Sequence, residues 1–130
     1  MVIDTNVYSA LRAGNADAVK VLRSQDCVYV PVPVVAELRQ GFEKGNRTEQ
    51  NMEELTSFLS RDESIVLSCD YATTDSYALV ANYCVSRGRA LSHNDVWIAA
   101  IAIQHDIPLL TFDKDFEILL DLLPVGSLVL

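Results

Sequence analysis

Four acidic residues lie where apolar strands end or where helices begin, although they are far apart in the sequence: Asp4, Glu37, Asp95 and Asp113. Two unit charges about 4 Å apart interact by roughly 4 kcal/mol at an effective dielectric near 20, so clustered carboxylates need a cation or a proton between them. A divalent ion is the simplest partner. If the fold gathers these side chains, the sequence predicts a magnesium or manganese site for phosphodiester chemistry.

Short apolar runs alternate with helical patterns along the chain, and these elements must position the acids. We expect strands at residues 2–3, 28–30, 65–67, 109–111 and 128–129. Helical periodicity fills the intervals, with starts expected near Thr5, Asn15, Thr48, Asp70 and Asn94 or Ser92, and with a short helix through Phe116. This alternation predicts an α/β fold with a mainly parallel sheet covered on both faces.

The predicted topology brings the four acids to one edge of the sheet. Asp4 and Asp113 lie just past strand ends, where ligands bind in parallel α/β sheets near a switch in strand order. Glu37 and Asp95 lie in the opening turns of helices, and in right-handed strand-helix-strand units these helices start at the same edge. Asp4, Asp95 and Asp113 are each compatible with a helix cap or a first-turn carboxylate. Glu37 lies in a mostly apolar segment, where an inward-facing carboxylate is costly without a partner. Their convergence favours a functional site.

Length and composition fit one ordinary domain, because 130 residues with 50% hydrophobic content can bury a core. No apolar run reaches the ~18 residues of a membrane-spanning helix, and the start of the chain lacks the basic residues of a signal peptide. We therefore expect a cytoplasmic protein without a membrane partner. Three cysteines, Cys27, Cys69 and Cys84, share no metal-binding spacing and are interpreted as small buried hydrophobic residues.

The net charge of -8 opposes a simple nucleic-acid binder, since phosphate affinity normally depends on Lys and Arg. The objection weakens if several acids bind divalent ions, because each ion adds two positive charges where a phosphate would lie. A basic partner or a second subunit would weaken it as well. Arg39, Lys44 and Arg47 follow Glu37 closely. They are compatible with solvated helix faces, and Arg39 is our candidate for substrate binding.

Three stretches of the sequence resemble the PIN-domain ribonucleases, specifically the VapC-like toxins of bacterial toxin-antitoxin pairs: VIDTNVYSAL, VPVVAELRQG and NDVWIAAIAIQHDIPLLTFDKDF. They occur in the family's order and span nearly the whole chain. The resemblance implies a three-layer α/β/α sandwich with a mainly parallel central sheet, formed by residues 1–130 as a single PIN-like nuclease domain. It also implies metal-dependent endonucleolytic cleavage of RNA such as tRNA or rRNA, a homodimer, and inhibition by a cognate antitoxin protein.

The same resemblance assigns roles to individual residues. The family's catalytic and metal-binding acids fall on Asp4, Glu37, Asp95 and Asp113. Asp115 is a further possible metal ligand, for a second ion, and is equally compatible with a first-turn helix carboxylate. Asn6 and Thr111 match polar positions beside the four acids, where they would orient carboxylates or a water, although each also fits a cap or a turn.

The expected chemistry depends on one or two Mg²⁺ or Mn²⁺ ions. Magnesium prefers octahedral oxygen ligation and keeps several waters, and an ion makes such a water more acidic. In a two-ion site, with ions roughly 3.5–4 Å apart, the second ion stabilises the leaving 3′ oxygen. Because attack by water does not require the RNA 2′-hydroxyl, we expect 5′-phosphate and 3′-hydroxyl ends.

Two readings from other classes remain open at this point. The first is a catalytically silent PIN-like module that acts only by binding its partner. The second is a receiver-like signalling domain that binds magnesium, although such domains place a phosphoacceptor Asp after a central strand and this chain has Ser68 and Cys69 after residues 65–67.

A ribonuclease of the histidine-pair type is disfavoured by the positions of the two histidines. His105 lies in a helix-to-strand turn, and His93 precedes a helix start, where a surface or capping role is expected. Trp97, close to Asp95, is expected to pack in the core because Ile98 and Ile101 surround it at helical spacing.

Overall fold

A computed structural model describes all 130 residues and contains a five-stranded sheet with helices in every interval. The elements in chain order are β1 Val2–Ile3, α1 Thr5–Arg12, α2 Ala16–Arg23, β2 Val28–Pro31, α3 Val32–Lys44, α4 Thr48–Leu59, β3 Ser64–Leu67, α5 Thr73–Ser86, α6 His93–His105, β4 Leu109–Thr111, a 3₁₀ helix Lys114–Leu119 and β5 Leu128–Val129. None of these helices has the length and apolar character needed to cross a bilayer.

All five strands are parallel, in the order β3-β2-β1-β4-β5. The chain first winds outward from β1 to β3 and then returns to place β4 on the other side of β1. Because right-handed crossovers in opposite directions put helices on opposite faces, this order produces a three-layer α/β/α sandwich. The prediction of a mainly parallel α/β/α fold is confirmed.

The central strands form the middle of the hydrophobic core. Val2 and Ile3 in β1, and Leu109 and Leu110 in β4, are fully buried, and Ile3 pairs in register with Leu110. Strands covered on both faces are expected to be continuously apolar, as these are. The pairing of β1 with β4 fixes the relative positions of the residues that follow each strand.

Helix starts depend on short polar side chains and on proline. Asn15 Oδ1 accepts hydrogen bonds of 3.0 Å from the backbone N–H groups of Asp17 and Ala18, as expected for an N-cap of α2. Ser92 caps α6 by accepting a 3.2 Å hydrogen bond from the Asp95 N–H. Pro33 in the first turn lets α3 begin directly after β2, because a first-turn residue has no intrahelical N–H bond to lose.

Several local predictions need correction. Trp97 is only partly buried and packs against Tyr77, with ring centroids 4.3 Å apart, because its side of α6 faces α5 near the surface. Cys84 is buried, but Cys27 is half-buried and Cys69 is exposed. The short helix expected through Phe116 is present as a 3₁₀ helix, and it ends at Leu119.

Candidate active site

The four acidic residues singled out in the sequence lie along the carboxyl edge of the sheet. Asp4 follows β1 and Asp113 follows β4, and these two strands are neighbours in the sheet. Strand order reverses between them, which is where ligands bind in open parallel sheets. Glu37 lies in the second turn of α3 and Asp95 in the first turn of α6.

Asp4 is the most buried of these carboxylates, with a relative exposure of 4%. Its Oδ1 accepts a 2.7 Å hydrogen bond from the Thr5 N–H, and its Oδ2 accepts one of 2.7 Å from the Thr111 hydroxyl. Burial above all, together with the charges of Asp95 and Glu37, raises the pKa of Asp4 to about 6, against the lowering effect of its hydrogen bonds with Thr111 and Thr5. Asp4 therefore carries a costly negative charge that a cation would stabilise.

Thr111 and Asn6 surround Asp4 with donors. The Thr111 hydroxyl, besides donating to Asp4, accepts a 2.9 Å hydrogen bond from the Asp113 N–H. The Asn6 side-chain amide donates to Asp4 Oδ2 at 3.3 Å, and Asn6 Oδ1 accepts a 3.1 Å bond from the Phe112 N–H. These contacts connect the end of β1 to the end of β4, and they hold Asp4 and the backbone of Asp113 in fixed relation.

Glu37 is held by two residues that the sequence analysis did not assign to the site. The Asn94 side-chain amide donates a 2.8 Å hydrogen bond to Oε1 of Glu37, and the Thr5 hydroxyl donates to Oε2. The available signal was adjacency, since Thr5 follows Asp4 and Asn94 precedes Asp95. A residue adjacent to one predicted ligand can thus donate a hydrogen bond to a second ligand on a different helix. Sequence spacing alone does not show which pairs meet in this way.

Asp95 lies within electrostatic range of the other acids. Burial raises the pKa of the Asp95 carboxyl, the hydrogen bond with Ser92 lowers it, and the charges of Asp113, Glu37 and Asp115 raise it. Asp113 caps the 3₁₀ helix, because its Oδ1 accepts a 2.9 Å hydrogen bond from the Asp115 N–H. The acids thus lie close enough for mutual repulsion, as expected from their topology.

The remaining candidates are placed at the margin of this edge. Asp115 is about half exposed and forms an ion pair with Arg89. Arg39 is exposed on α3 and forms no ion pair in this structure. Asp115 therefore has a cationic partner that the sequence did not predict.

The two histidines do not form an acid-base pair. His93 begins α6 and has a ring nitrogen 2.8 Å from the Tyr77 hydroxyl, whereas His105 ends the same helix. At 1.5 Å of rise per residue these positions are separated by roughly 18 Å along the helix axis. The structure therefore excludes a histidine-pair mechanism.

A metal ligand set can be tested against the observed geometry. No group of three or more His, Cys, Asp or Glu side chains is close enough together to coordinate a metal ion directly. The carboxylates are instead directed at hydrogen-bond donors, as Asp4 is at Thr111 and Glu37 is at Asn94. Magnesium keeps several waters and uses only one or two carboxylates directly. An all-oxygen donor set around a buried, destabilised carboxylate fits such a partly hydrated ion.

The sequence matches a known family over most of its length. The model of the PIN domain matches residues 1–119. Ribonuclease VapC5 of Mycobacterium tuberculosis is 30% identical over 118 residues, covering 91% of this chain and 86% of that protein. Ribonuclease VapC2 of Rickettsia felis is 29% identical over 120 residues, covering 88% of each.

Solved structures share the fold. One from Mycobacterium tuberculosis, described as a member of the VapBC family of toxin-antitoxin systems, superposes with a TM-score of 0.74 at 28% identity, covering 99% of this chain and 97% of that chain. VapBC2 from Rickettsia felis, bound to a DNA fragment from its promoter, superposes with a TM-score of 0.80 at 24% identity and covers 95% of each chain. The second likeness concerns the fold alone.

Proposed function

This chain belongs to the PIN domain family, and from that premise we propose that it is a metal-dependent endoribonuclease, the toxin of a toxin-antitoxin pair. The observation that carries the proposal is the buried Asp4 carboxylate, whose pKa is raised to about 6 by burial and by the charges of Asp95 and Glu37. A structural cap needs neither burial nor acidic neighbours. Such a group is expected where a protein prepares to bind a cation.

The residues that would hold the ion are the four acids at the sheet edge, Asp4, Glu37, Asp95 and Asp113, since the exposed Asp115 already has Arg89 as its cation. A bound Mg²⁺ or Mn²⁺ ion supplies charge neutralisation and a more acidic water for phosphodiester hydrolysis. Thr111 and Asn6 orient Asp4, and Asn94 and Thr5 orient Glu37, so that both carboxylates keep their direction when substrate arrives.

The proposed reaction is hydrolysis, with 5′-phosphate and 3′-hydroxyl products. No histidine pair is present to act as acid and base on the RNA 2′-hydroxyl, and hydrolysis by water does not need that group. A 2′,3′-cyclic phosphate product would contradict this part of the proposal.

We assign a structured RNA, such as tRNA or rRNA, as substrate, a cognate antitoxin protein as inhibitor, and a homodimer as the assembly. The support comes from relatives that are named ribonucleases and from a 28% identical structure of a VapBC toxin-antitoxin member. The net charge of -8 supports the need for a cation during RNA binding, since the chain itself supplies little positive charge.

The proposal is tested by incubating the purified chain with total bacterial RNA, with and without Mn²⁺, and by mapping the new ends by sequencing. We expect discrete cuts that need the ion and that vanish with Asp95→Asn. Intact RNA at all metal concentrations, together with tight antitoxin binding, would instead support the catalytically silent module.

A further inference from the structure

Few cations are available to meet RNA at the acidic edge. The chain has ten Lys and Arg residues against eighteen acids. An RNA phosphate that approaches four carboxylates is repelled unless a nearby cation offsets their charge. The position of each cation relative to the acids therefore bears directly on substrate binding.

Arg89 lies in contact with the acidic edge. It belongs to the segment between α5 and α6, and its guanidinium forms an ion pair with Asp115. The Asp115 N–H in turn donates a 2.9 Å hydrogen bond to Oδ1 of Asp113. Arg89 is thus separated by one residue from a carboxylate of the proposed catalytic set.

Neighbouring cations are directed elsewhere. Lys114 lies 3.6 Å from Glu117 in the same helical turn. Arg87 places its guanidinium over the ring of Tyr83, 4.7 Å from the centroid. Arg39, our choice from the sequence, is exposed and has no ion pair that ties it to the edge. Arg89 is the arginine that the structure anchors beside the acids.

The ion pair between Arg89 and Asp115 can be broken at little cost, so that the guanidinium can bind another anion. Both side chains are about half exposed, with 53% for Arg89 and 55% for Asp115. Exposed ion pairs typically contribute only about 0–1 kcal/mol, so little is lost when Arg89 leaves Asp115. A guanidinium can bind a phosphate through two parallel N–H donors, which favours phosphate over a screened carboxylate contact.

We propose that Arg89 is a substrate-binding residue that leaves Asp115 to bind an RNA phosphate next to the scissile bond. The inference rests on the proposed function, because it assumes that RNA is bound at this edge. Arg89 also supplies part of the positive charge that the composition lacks. The competing explanation is that the ion pair merely fastens the segment before α6 to the 3₁₀ helix.

The two explanations differ in what Asp115→Asn should do. If the ion pair is only structural, Arg89→Ala and Asp115→Asn break the same contact and should have the same effect on RNA binding. If Arg89 binds phosphate, Asp115→Asn frees the guanidinium and removes a negative charge, so RNA binding is kept or strengthened. Arg89→Ala should weaken it. Arg87→Ala is a matched control that removes the same charge two residues away.

The experiment measures binding of a fluorescein-labelled, mixed-sequence single-stranded RNA by anisotropy. It uses the intact chain with Ca²⁺ in place of Mg²⁺, a gel to verify that the RNA stays whole, and circular dichroism to verify folding. For Arg89→Ala we expect affinity to fall by roughly tenfold, the loss of one charge-assisted contact. The slope of log K against log salt should become less steep by about 0.7, the value for one phosphate contact on a single strand. For Arg87→Ala we expect less than about a twofold change in affinity, because its guanidinium is stacked on Tyr83.

Each outcome either supports or overturns the role of Arg89 in phosphate binding. Opposite effects of Arg89→Ala and Asp115→Asn, with a normal Arg87→Ala, support the inference. The inference is overturned if Arg89→Ala and Asp115→Asn lose RNA affinity equally, or if the two arginine variants do so. In either case RNA binding by the unmodified chain leaves the proposed function standing. If the unmodified chain does not bind this RNA, the inference is overturned; if it also fails to cleave total bacterial RNA with Mn²⁺, the proposed function is overturned with it.

Discussion

The Asn94 side-chain amide donates a 2.8 Å hydrogen bond to Oε1 of Glu37 and so joins the first turn of α6 to the second turn of α3. These two helices belong to crossovers on opposite faces of the sheet. The contact therefore links the helices on the two faces of the sheet at its carboxyl edge. With Thr5 donating to Oε2, both oxygens of Glu37 have a neutral donor that fixes their direction.

Replacing Asn94 is expected to weaken metal binding more than folding. Asn94→Ala removes one of the two donors that orient Glu37, and loss of such an orienting residue typically costs 10–100-fold in metal affinity. Isothermal titration with Mn²⁺ measures this loss directly. Asn82→Ala, on the exposed face of α5, is the control that should bind the ion normally. Equal affinity of the Asn94 and Asn82 variants for Mn²⁺ would show that Glu37 needs no such support.

Thr111→Val should lower both stability and cleavage, and Thr111→Ser should restore most of each. Valine keeps the shape but removes the hydroxyl that donates to Asp4 and accepts from the Asp113 N–H. Unmade hydrogen bonds at buried groups typically cost about 1–3 kcal/mol. Urea unfolding gives the stability and the RNA assay gives the rate. A valine variant indistinguishable from the parent in both would contradict the role assigned to this hydroxyl.

Stability of the metal-free chain should rise as the pH is lowered from 7 to 5. The folded-state pKa of Asp4 is raised from 3.8 to about 6, so between these values the folded chain binds more protons than the unfolded chain. The resulting destabilisation is absent below pH 3.8 and complete above pH 6, where it amounts to roughly 3 kcal/mol. The raised pKa of Asp95 acts in the same direction.

This pH dependence is measured by urea unfolding in EDTA at pH 5, 6 and 7. Asp4→Asn, which is neutral throughout, should flatten the profile and be more stable than the parent at pH 7. A parent chain whose stability increases from pH 5 to 7 would mean that Asp4 is not destabilised by burial.

Millimolar Mg²⁺ or Mn²⁺ should raise the melting temperature at pH 7, since a ligand that binds only the folded chain stabilises it by mass action. If the dissociation constant is a hundredfold below the free ion concentration, binding stabilises the folded chain by about 2.7 kcal/mol. Asp4→Asn should lose most of the response. Asp17→Asn, on the exposed surface of α2, should respond like the parent. Identical shifts in both variants would locate the ion elsewhere.

Sequence was sufficient for the elements and for the edge on which the acids lie. The strand ends at Asp4 and Asp113 and the helix starts before Glu37 and Asp95 are local signals, and parallel topology turns them into one location. The resemblance to the PIN family, and the fold it implied, are confirmed by the family match and by the structural neighbours. The catalytic and metal-binding roles of the acids remain predictions.

Side-chain pairing across elements could not be predicted. Asn94 reaches Glu37 and Arg89 reaches Asp115 over sequence separations of 57 and 26 residues, and no local pattern encodes which donor meets which carboxylate. Trp97 was misplaced because helical spacing shows which residues share a face of α6 but does not show how deeply α5 covers that face.

The central claim is that the acids at the carboxyl edge bind a divalent ion, and anomalous diffraction from crystals grown with Mn²⁺ tests it most directly. We predict an anomalous peak beside Asp4, with a carboxylate oxygen of Asp4 or Asp95 about 2 Å away, typical of this ion size. The peak should disappear in Asp4→Asn crystals. No peak at this edge under saturating Mn²⁺, or a peak that persists unchanged in the variant, would contradict the account.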